Sequence, residues 1–327
     1  MSVTPLSPIT AGDIADAFLG RLKREGCAPD TITRYRPILD AFAQWAGERS
    51  LGSISATDID EGFFAQWDKD FEERNGREPK PDTRRAVHGT LSSMYSYAVN
   101  FGKLRDEAGH PVANPMLAIK PPKVKRRKND WLRPAQDEDL LSAPMDELEA
   151  ILVLFLRWNG LRLSEALALR EQDVDVVSRT IYVDDSKSDN GIREVPIPDE
   201  LVLAIKLWRE YKVRRGLPAG VGFFLCTTRS GHWRDLKTGR KCSSAPGQPL
   251  KPQQVEKIIR RVGERAGIER LTPHRLRRTY GSVLVNGGAR LQSVSKILGH
   301  SNTKVTEDSY AQLMNETIRR EILDALA

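Results

Sequence analysis

Apolar side chains recur at helical spacing in four runs of the first third of the chain. These runs are 10–26, one that begins at Pro29, 57–74 and 82–102. In the second run, Tyr35, Leu39 and Phe42 lie three or four positions apart, which is the spacing of one helix face. Aromatic residues in such a stripe favour a buried core over a platform on which bases stack. The pattern predicts a small helical bundle.

After Pro134 the pattern becomes mixed. Helical spacing predicts helices at 137–157, 163–170, 199–214 and from 252 to the end of the chain. Alternation of apolar and polar residues at 181–183 and 192–197 predicts two strands, and the turn-forming SKSDNG between them predicts a β-hairpin. FFLCTT at 223–228 predicts one more strand, followed by a loop at 229–248. The predicted fold class is mainly α with a small β-hairpin or sheet.

The composition describes a globular protein that stays out of the membrane. The chain has 327 residues, 39% of them hydrophobic and 29% charged, which is enough for two domains. The longest apolar run, ILVLFL at 151–156, is far shorter than the ~20 residues of a transmembrane helix, and the N-terminus lacks the layout of a secretory signal. Three widely separated cysteines, Cys27, Cys226 and Cys242, favour a reducing cytoplasm without disulfides.

A net charge of +7 favours a polyanionic partner, and one run concentrates that charge. Residues 120–128, KPPKVKRRK, carry six positive charges and no acidic residue, and their two prolines prevent a regular helix. Either a solvated linker or a linker that follows a phosphate backbone explains the run, and the two explanations are compatible. We predict domains at 1–118 and 134–327, joined by a linker at 119–133. The candidate DNA-binding residues of the linker are Lys120, Lys123, Lys125, Arg126, Arg127 and Lys128.

The stretch 272–282, TPHRLRRTYGS, predicts a helix start suited to an anion. Thr272 is a good N-cap, and Pro273 fits the first helical position. His274 and Arg277 then share one face of the first turn, at the positive end of the helix dipole. A solvated basic helix face accounts for the same residues, so the stretch alone decides nothing.

Two further cations raise the same question. Arg162 stands among apolar residues in GLRLSE at 160–165, and a buried arginine needs an anionic partner. Glu165 can be that partner, or it can orient Arg162 towards a bound phosphate. Lys187 lies at the tip of the predicted hairpin, where a lysine is ordinarily solvated and gains a role only where the tip folds over a cleft.

His300 follows a glycine at a predicted helix end, and Tyr310 lies ten residues later in a polar segment. With these two the motifs are complete. GLRLSE at 160–165, HRLR at 274–277, LGH at 298–300 and SYAQL at 309–313 resemble, in this order, the boxes of the tyrosine recombinase (phage integrase) family. The resemblance extends over the whole chain, because a helical core-binding (SAM-like) domain, a basic linker and an α+β catalytic domain are the layout of that family.

The resemblance implies an enzyme that cleaves DNA with a tyrosine and leaves a 3′-phosphotyrosine and a free 5′-hydroxyl, without metal, cofactor or ATP. It implies Tyr310 as the nucleophile, Arg162 and Arg277 as the clamp on the phosphate, and Glu165 in a supporting role. It further implies Lys187 as the general acid, His274 as the acid/base partner of Tyr310, and His300 as a hydrogen-bond donor to the phosphate.

The resemblance also implies partners. Double-stranded DNA with a specific site is the substrate, and accessory proteins that bend DNA or set directionality are expected, in the cytoplasm at the nucleoid. Residues 315–327 place Ile318, Ile322, Leu323 and Leu326 on one helix face. That helix either packs on its own domain or, as is common in the family, docks into a neighbouring subunit and links a homotetramer.

The sequence departs from the family pattern in places that bear on its biological role. One extra residue separates His300 from Tyr310, and Arg278 and Gln312 stand where Xer-type members often have histidine. The chain begins almost directly with the core-binding domain, which leaves no room for an arm-binding domain. We therefore expect a simple phage or mobile-element integrase. The alternatives are Xer-type dimer resolution, a type IB topoisomerase, and a DNA-binding protein without activity.

Overall fold

The computed structural model describes most of the chain. The described residues are 9–106, 108–124, 130–184, 192–234, 241–300, 303, 304, 306, 307, 310 and 326, with the backbone alone at 232–234 and 241–242. They form two compact units, Met1–Arg126 and Arg127–Ala327. Within the described part, no helix is long and apolar enough to cross a membrane.

The first unit contains four α-helices, in the places that the apolar pattern predicts. They are α1 (Ala11–Arg24), α2 (Pro29–Ala46), α3 (Phe64–Asn75) and α4 (Pro81–Asn100). A π-helical segment, Asp58–Phe63, leads into α3. Thr10 caps α1, because its hydroxyl accepts from the Asp13 backbone N–H at 3.2 Å and the Asp13 carboxylate accepts from the Thr10 N–H at 3.0 Å.

Aromatic side chains fill the core of this unit. Phe42 is fully buried, and its ring meets Phe63 edge-on at 5.0 Å and Tyr95 at 6.0 Å between ring centroids. The prediction that the aromatic residues of α2 belong to a core is therefore confirmed.

The second unit contains seven α-helices and five short strands in its described part. The helices are α5 (Pro134–Ser142), α6 (Glu147–Asn159), α7 (Leu163–Ala168), α8 (Asp199–Arg214), α9 (Pro252–Arg265), α10 (Pro273–Asn286) and α11 (Leu291–Leu298). The strands are β1 (Val174–Asp175), β2 (Thr180–Val183), β3 (Arg193–Pro196), β4 (Gly231–Arg234) and β5 (Lys241–Ser244). The apolar helix α6 packs against α8, α9 and α10, so it forms the centre of the unit.

The helix predicted at 137–157 is two helices. Pro144 follows α5, and the Asp146 side chain starts α6 by accepting from the Glu149 backbone N–H at 2.8 Å. The apolar spacing continues across this break because both helices face the same core.

The predicted hairpin is present as the antiparallel pair β2–β3, with β1 on the other side of β2. Its register places Val183 opposite Arg193. In the sequence, Lys187 stands between these two residues.

The prediction of a strand at 223–228 was wrong. Phe223 and Cys226 form only isolated bridges, to Arg170 and Pro249, and the Phe224 N–H donates to the Leu169 carbonyl. The run is buried as irregular chain, so its apolar character reflects core packing and not a ladder. The hairpin β4–β5 lies instead inside the predicted loop 229–248, where the mixed polar sequence lacks an alternating pattern.

The ends of the predicted linker pack on the units beside them. Ile119 lies in the core of the first unit, and Leu132 in that of the second, where the Leu132 N–H donates to Thr279 Oγ1 at 2.9 Å. Lys120 and Lys123 are exposed. The other four predicted linker contacts, Lys125, Arg126, Arg127 and Lys128, lie outside the described residues, and the domain boundaries stay a prediction.

Candidate active site

The start of α10 positions one arginine of the candidate site. Thr272 caps the helix by accepting a backbone hydrogen bond at 3.1 Å, and Pro273 takes the first position. Arg277, one turn further on, points into the protein. Its Nη1 donates to the Gly160 carbonyl at 2.7 Å, and its Nη2 donates to the Leu298 carbonyl. Arg277 thus joins the start of α10 to the ends of α6 and α11.

Arg162 approaches the same place from the start of α7. Its backbone N–H donates to Glu165 Oε2 at 2.8 Å, and its Nη1 donates to Glu165 Oε1 at 2.5 Å. Its Nη2 donates to the Gly299 carbonyl at the end of α11. The Arg162 side chain is 38% exposed, whereas that of Arg277 is 6% exposed. Of the two guanidiniums, that of Arg162 is therefore the more accessible from outside the protein.

Glu165 is the carboxylate around which the arginines gather. Its side chain is 1% exposed and accepts from Arg162 and from Arg193, whose Nη2 lies 2.8 Å from Oε2. Arg277 Nη1 lies 3.9 Å from the same oxygen. Burial alone raises the pKa of Glu165, but the hydrogen bonds from Arg193 and Arg162 and the charge of Arg193 outweigh it and hold the pKa below its usual value.

Burial acts against the charge of Arg277 as well. It lowers the pKa of Arg277 to about 10, together with repulsion from Arg162 and against attraction by Glu165. Arg277 therefore remains a cation at neutral pH, and its charge is compensated only in part by the single carboxylate.

Gly299 lets the ends of these elements approach closely. It ends α11 with a left-handed backbone, at a φ of 63°. A Cβ atom at this position would lie 2.7 Å from Nη1 of Arg193 and 3.3 Å from Nη1 of Arg162. A side chain here would therefore displace the arginines from Glu165.

The two histidines beside the arginines are neutral at pH 7. Burial, followed by the charges of Arg277, Arg162 and Arg193, lowers the pKa of His300 to about 4. Nδ1 of His300 lies 2.8 Å from Oγ1 of the fully buried Thr306. The side chain of His274 is exposed, but partial desolvation and the charges of Arg278 and Arg277 lower its pKa as well.

Tyr310 is buried beside α10 rather than presented at the surface. Its side chain is 2% exposed, and its hydroxyl donates to the Arg278 carbonyl at 3.4 Å. The ring lies over Gly281, where a Cβ atom would overlap the Tyr310 hydroxyl. Burial raises the pKa of Tyr310 to about 12, although Arg277 and Arg278 act in the opposite direction.

The sequence profile of the phage integrase family matches residues 130–317, more than half of the chain. The chain belongs to the phage integrase family. As a member of this family of tyrosine recombinases, it is a site-specific DNA recombinase, and the predicted enzyme class is confirmed.

Two relatives match this phage integrase family member over nearly their whole length, at low sequence identity. It is 27% identical over 310 residues to the tyrosine recombinase XerA of Thermococcus kodakarensis, with 94% of this chain and 93% of the relative covered. It is 28% identical over 337 residues to the tyrosine recombinase XerD of Proteus mirabilis, with 98% and 97% covered.

Solved structures of the family share the fold. A Tn1549 transposon integrase in complex with transposon right end DNA matches with a TM-score of 0.65 and 21% identity, over 96% of this chain and 99% of that chain. A lambda integrase dimer bound to a COC′ core site matches with a TM-score of 0.62 and 18% identity, over 91% and 76%. The predicted fold class is confirmed.

The structure brings five of the six predicted catalytic residues into one neighbourhood. Hydrogen bonds link Arg162 and Arg277 to the end of α11, which carries His300. His274 lies close enough to lower the pKa of His300, and Tyr310 close enough to interact with Arg277. Lys187 lies outside the described residues. Tyr280, which belongs to α10 itself, packs in a small apolar cluster with Val294 and Leu298.

Sequence reasoning missed Arg193, and the signal was present. Alternation along β3 places Arg193 on the same face as Val195 and Ile197, both of which are buried. An arginine on a buried face requires an anionic partner. The contacts of Gly281 and Thr306 had no comparable signal, since they depend on the distant Tyr310 and His300.

The arrangement suits a phosphate diester. Cationic guanidiniums, neutral imidazoles and a phenol converge, while the only described carboxylate among them is engaged with arginines. In the described part of the chain, no group of three His, Cys, Asp or Glu residues could hold a metal ion.

Proposed function

We propose that this recombinase cleaves and rejoins double-stranded DNA at a specific site through a 3′-phosphotyrosine at Tyr310. The observation that carries the proposal is the meeting of Arg162 and Arg277, from separate helices, at the end of α11. Two guanidiniums anchored from behind by backbone carbonyls and Glu165 make a preorganised clamp for the non-bridging oxygens of a phosphate.

The clamp stabilises the charge that develops in the transition state. Removal of one preorganised donor of this kind typically raises the activation free energy of an enzyme by about 3–4 kcal/mol. Such donors often make the largest single contribution to the rate enhancement. His300 adds a hydrogen bond, because its neutral imidazole carries one N–H. A proton on Nε2, with Nδ1 accepting from Thr306, would direct that donor away from Thr306 and towards the phosphate.

The chemical step balances with groups of this chain. The Tyr310 oxygen forms a bond to phosphorus while the bond from phosphorus to the 5′-oxygen breaks. His274 accepts the phenol proton, since its lowered pKa keeps it neutral near pH 7. Lys187 donates a proton to the leaving 5′-oxygen. A 5′-hydroxyl from a second strand reverses these steps, and because the phosphotyrosine conserves the energy of the phosphodiester bond, no ATP is consumed.

Tyr310 must leave its place over Gly281 before it attacks. In that place the hydroxyl is bonded to the Arg278 carbonyl and the ring is 2% exposed. DNA binding is the event that would supply the energy for this movement.

For the biological role, we propose integration of a phage or other mobile element by a tetramer on two paired sites. Departures from Xer-type sequences at Arg278 and Gln312 support this role. Xer-type dimer resolution is the second candidate, and full-length similarity to XerA and XerD supports it. The location of the target site would distinguish the two roles. Inverted repeats around a short spacer beside the gene, at the end of an element, would indicate integration, whereas such repeats at a chromosomal terminus would indicate dimer resolution.

The proposed partners follow from the same function. Specific DNA would be held by both units and the basic linker, and the helix at 315–327, which lies almost wholly outside the described residues, would connect the subunits. Accessory DNA-bending or directionality proteins belong to the mobile-element role. Exchange of strands between two sites, as opposed to relaxation of supercoils alone, separates a recombinase from a type IB topoisomerase.

Covalent capture tests the chemistry. The full-length protein is incubated in EDTA with a pool of nicked duplexes of randomised sequence, and adducts are recovered from a denaturing gel. We expect an adduct with the wild-type protein and with Tyr280→Phe, and none with Tyr310→Phe. An adduct that persists in Tyr310→Phe contradicts the assignment of the nucleophile, and absence of any wild-type adduct supports the binding-only alternative.

A further inference from the structure

Arg193 is a third arginine of the cluster, supplied by β3. Its side chain is 4% exposed, and its Nη2 and Nη1 lie 2.8 and 3.3 Å from the two carboxylate oxygens of Glu165. Its Nε donates to the Ile297 carbonyl at 2.7 Å, in the last turn of α11. Arg193 therefore joins the hairpin to both elements that hold Arg162.

The charges of the cluster do not cancel. Among the described residues, one carboxylate, Glu165, faces three guanidiniums, those of Arg162, Arg193 and Arg277. Arg193 makes a bidentate and almost fully buried pair with Glu165, and Arg277 lies 3.9 Å away. Arg162 Nη1 also lies 2.5 Å from Oε1 of Glu165, but that side chain remains 38% exposed and reaches the carboxylate with one nitrogen only. If Arg193 takes up the charge of Glu165, the two positive charges of the clamp remain for a ligand.

We propose that Arg193 is a positioning residue that neutralises Glu165, so that the full charge of Arg162 and Arg277 acts on the scissile phosphate. This inference rests on the proposed function. Without Arg193, the carboxylate would draw both clamp arginines inward, and one negative charge would oppose the phosphate a few ångströms away.

The position of Arg193 in the strand adds a second consequence. Arg193 is the first residue of β3, six positions after Lys187, and pairs with Val183 where the hairpin begins to leave the sheet. Its bond to Ile297 ties this end of the hairpin to α11, just before His300. One side chain thus ties the described end of β3 to the element that precedes His300.

A merely structural role for Arg193 predicts that the single variant loses stability, seen as a lower melting temperature, and that its rate recovers only as far as its stability does. Truncation of one partner of a buried ion pair is costly, whereas removal of both partners together is often tolerated. The decisive variant is therefore the double substitution Glu165→Gln with Arg193→Met. It removes both charges, while the amide oxygen introduced by Glu165→Gln can still accept the hydrogen bond from the Arg162 backbone.

The experiment compares single-turnover cleavage rates on a nicked duplex selected by covalent capture on the wild-type protein. Groups that orient a reactive site from behind typically contribute about 10- to 100-fold, and we expect Arg193→Met to be slower by that factor. We expect Arg193→Lys to lie between it and the wild type, and the double variant to be at least several-fold faster than Arg193→Met. A double variant no faster than Arg193→Met, at an equal melting temperature, overturns the proposal.

A second measurement keeps the test independent of folding. A methylphosphonate at the scissile position replaces one charged oxygen with a methyl group, so the transition state needs less positive charge. We expect the ratio of wild-type to Arg193→Met rates to shrink on this substrate, and an unchanged ratio contradicts a role through charge. Failure of the proposed function itself looks different, since the wild-type protein would then capture no duplex or Tyr310→Phe would still do so.

Discussion

At the scale of single residues, the surrounding charge determines what each group of the site can do. Burial, followed by the charges of nearby guanidiniums, lowers the pKa of both His274 and His300 and favours neutral imidazoles, whereas arginines hold the pKa of Glu165 below its usual value in spite of burial. The same cations favour loss of the Tyr310 proton, but burial of the ring raises its pKa to about 12. A cationic site thus suits the proposed base and hydrogen-bond donor near pH 7, and Tyr310, the proposed nucleophile, would react only outside its buried position.

The pH dependence of cleavage follows from His274. Protonation of this residue removes the proposed base, so the single-turnover rate should fall as the pH drops through the pKa of His274, below the usual value of about 6.5. Arg278→Gln removes one charge that lowers this pKa. We expect the acid limb of the rate profile to move to higher pH in that variant. If the acid limb of the Arg278→Gln profile stays at the wild-type pH while its rate at alkaline pH is unchanged, the assignment of His274 as the base is wrong.

At the scale of elements, one side of α10 carries out two tasks, because His274, Arg277 and Gly281 follow each other at a spacing of three and four residues. Its first turn presents His274 and buries Arg277, while Gly281, one turn further on, receives Tyr310. The absence of a side chain at Gly281 is what allows the ring to lie against the helix. The contact holds Tyr310, the proposed nucleophile, against the helix that also carries Arg277.

Gly281→Ala should therefore displace Tyr310. The added methyl group would overlap the Tyr310 hydroxyl, and the ring should become accessible in the free protein. Nitration by tetranitromethane, followed by mass spectrometry of the Tyr310 peptide, measures this. Gly89→Ala, in the first unit with no atom within 4 Å of the added group, is the matched control. Equal protection of Tyr310 in Gly281→Ala and the wild type would show that the contact does not hold the ring.

At the scale of the whole molecule, the chain combines one unit with the proposed catalytic groups and one helical unit, joined by a strongly basic segment. Electrostatic attraction to a phosphate backbone is independent of base sequence and weakens with salt as counterions are released. Site selection must then come from contacts to bases and from the deformability of the DNA.

Neutralising Lys123, Lys125, Arg126 and Arg127 should weaken binding to every duplex alike. Each lost phosphate contact lowers the slope of log affinity against log salt by about 1. Binding titrations over a series of salt concentrations, on a captured duplex and a scrambled one, measure both effects. A variant that neutralises four exposed cations of α3 and α8, Lys69, Arg74, Lys206 and Arg214, controls for net charge. Equal losses of DNA affinity in the two variants would mean that the basic segment contacts the DNA no more than other exposed cations do.

The sequence by itself indicated most helices of both units, the β2–β3 hairpin, the cap at Thr272 and the residues proposed for catalysis, but neither the break between α5 and α6 nor the place of Arg193. These features depend on spacing within a few residues, where helix and strand geometry leave little freedom. The sequence did not reveal the irregular path of 223–228, because a segment buried on all sides shows the same apolar run whether or not it forms a strand.

Only the tertiary structure decided which distant groups meet. Arg162 bonds to Gly299, 137 residues away, Arg193 turns towards Glu165, and Tyr310 lies over Gly281. Each contact depends on how separate elements pack, and local periodicity carries no information on that packing. The family motifs therefore indicated the groups proposed for the reaction, whereas packing decided that Arg193 holds Glu165 and that Tyr310 lies buried.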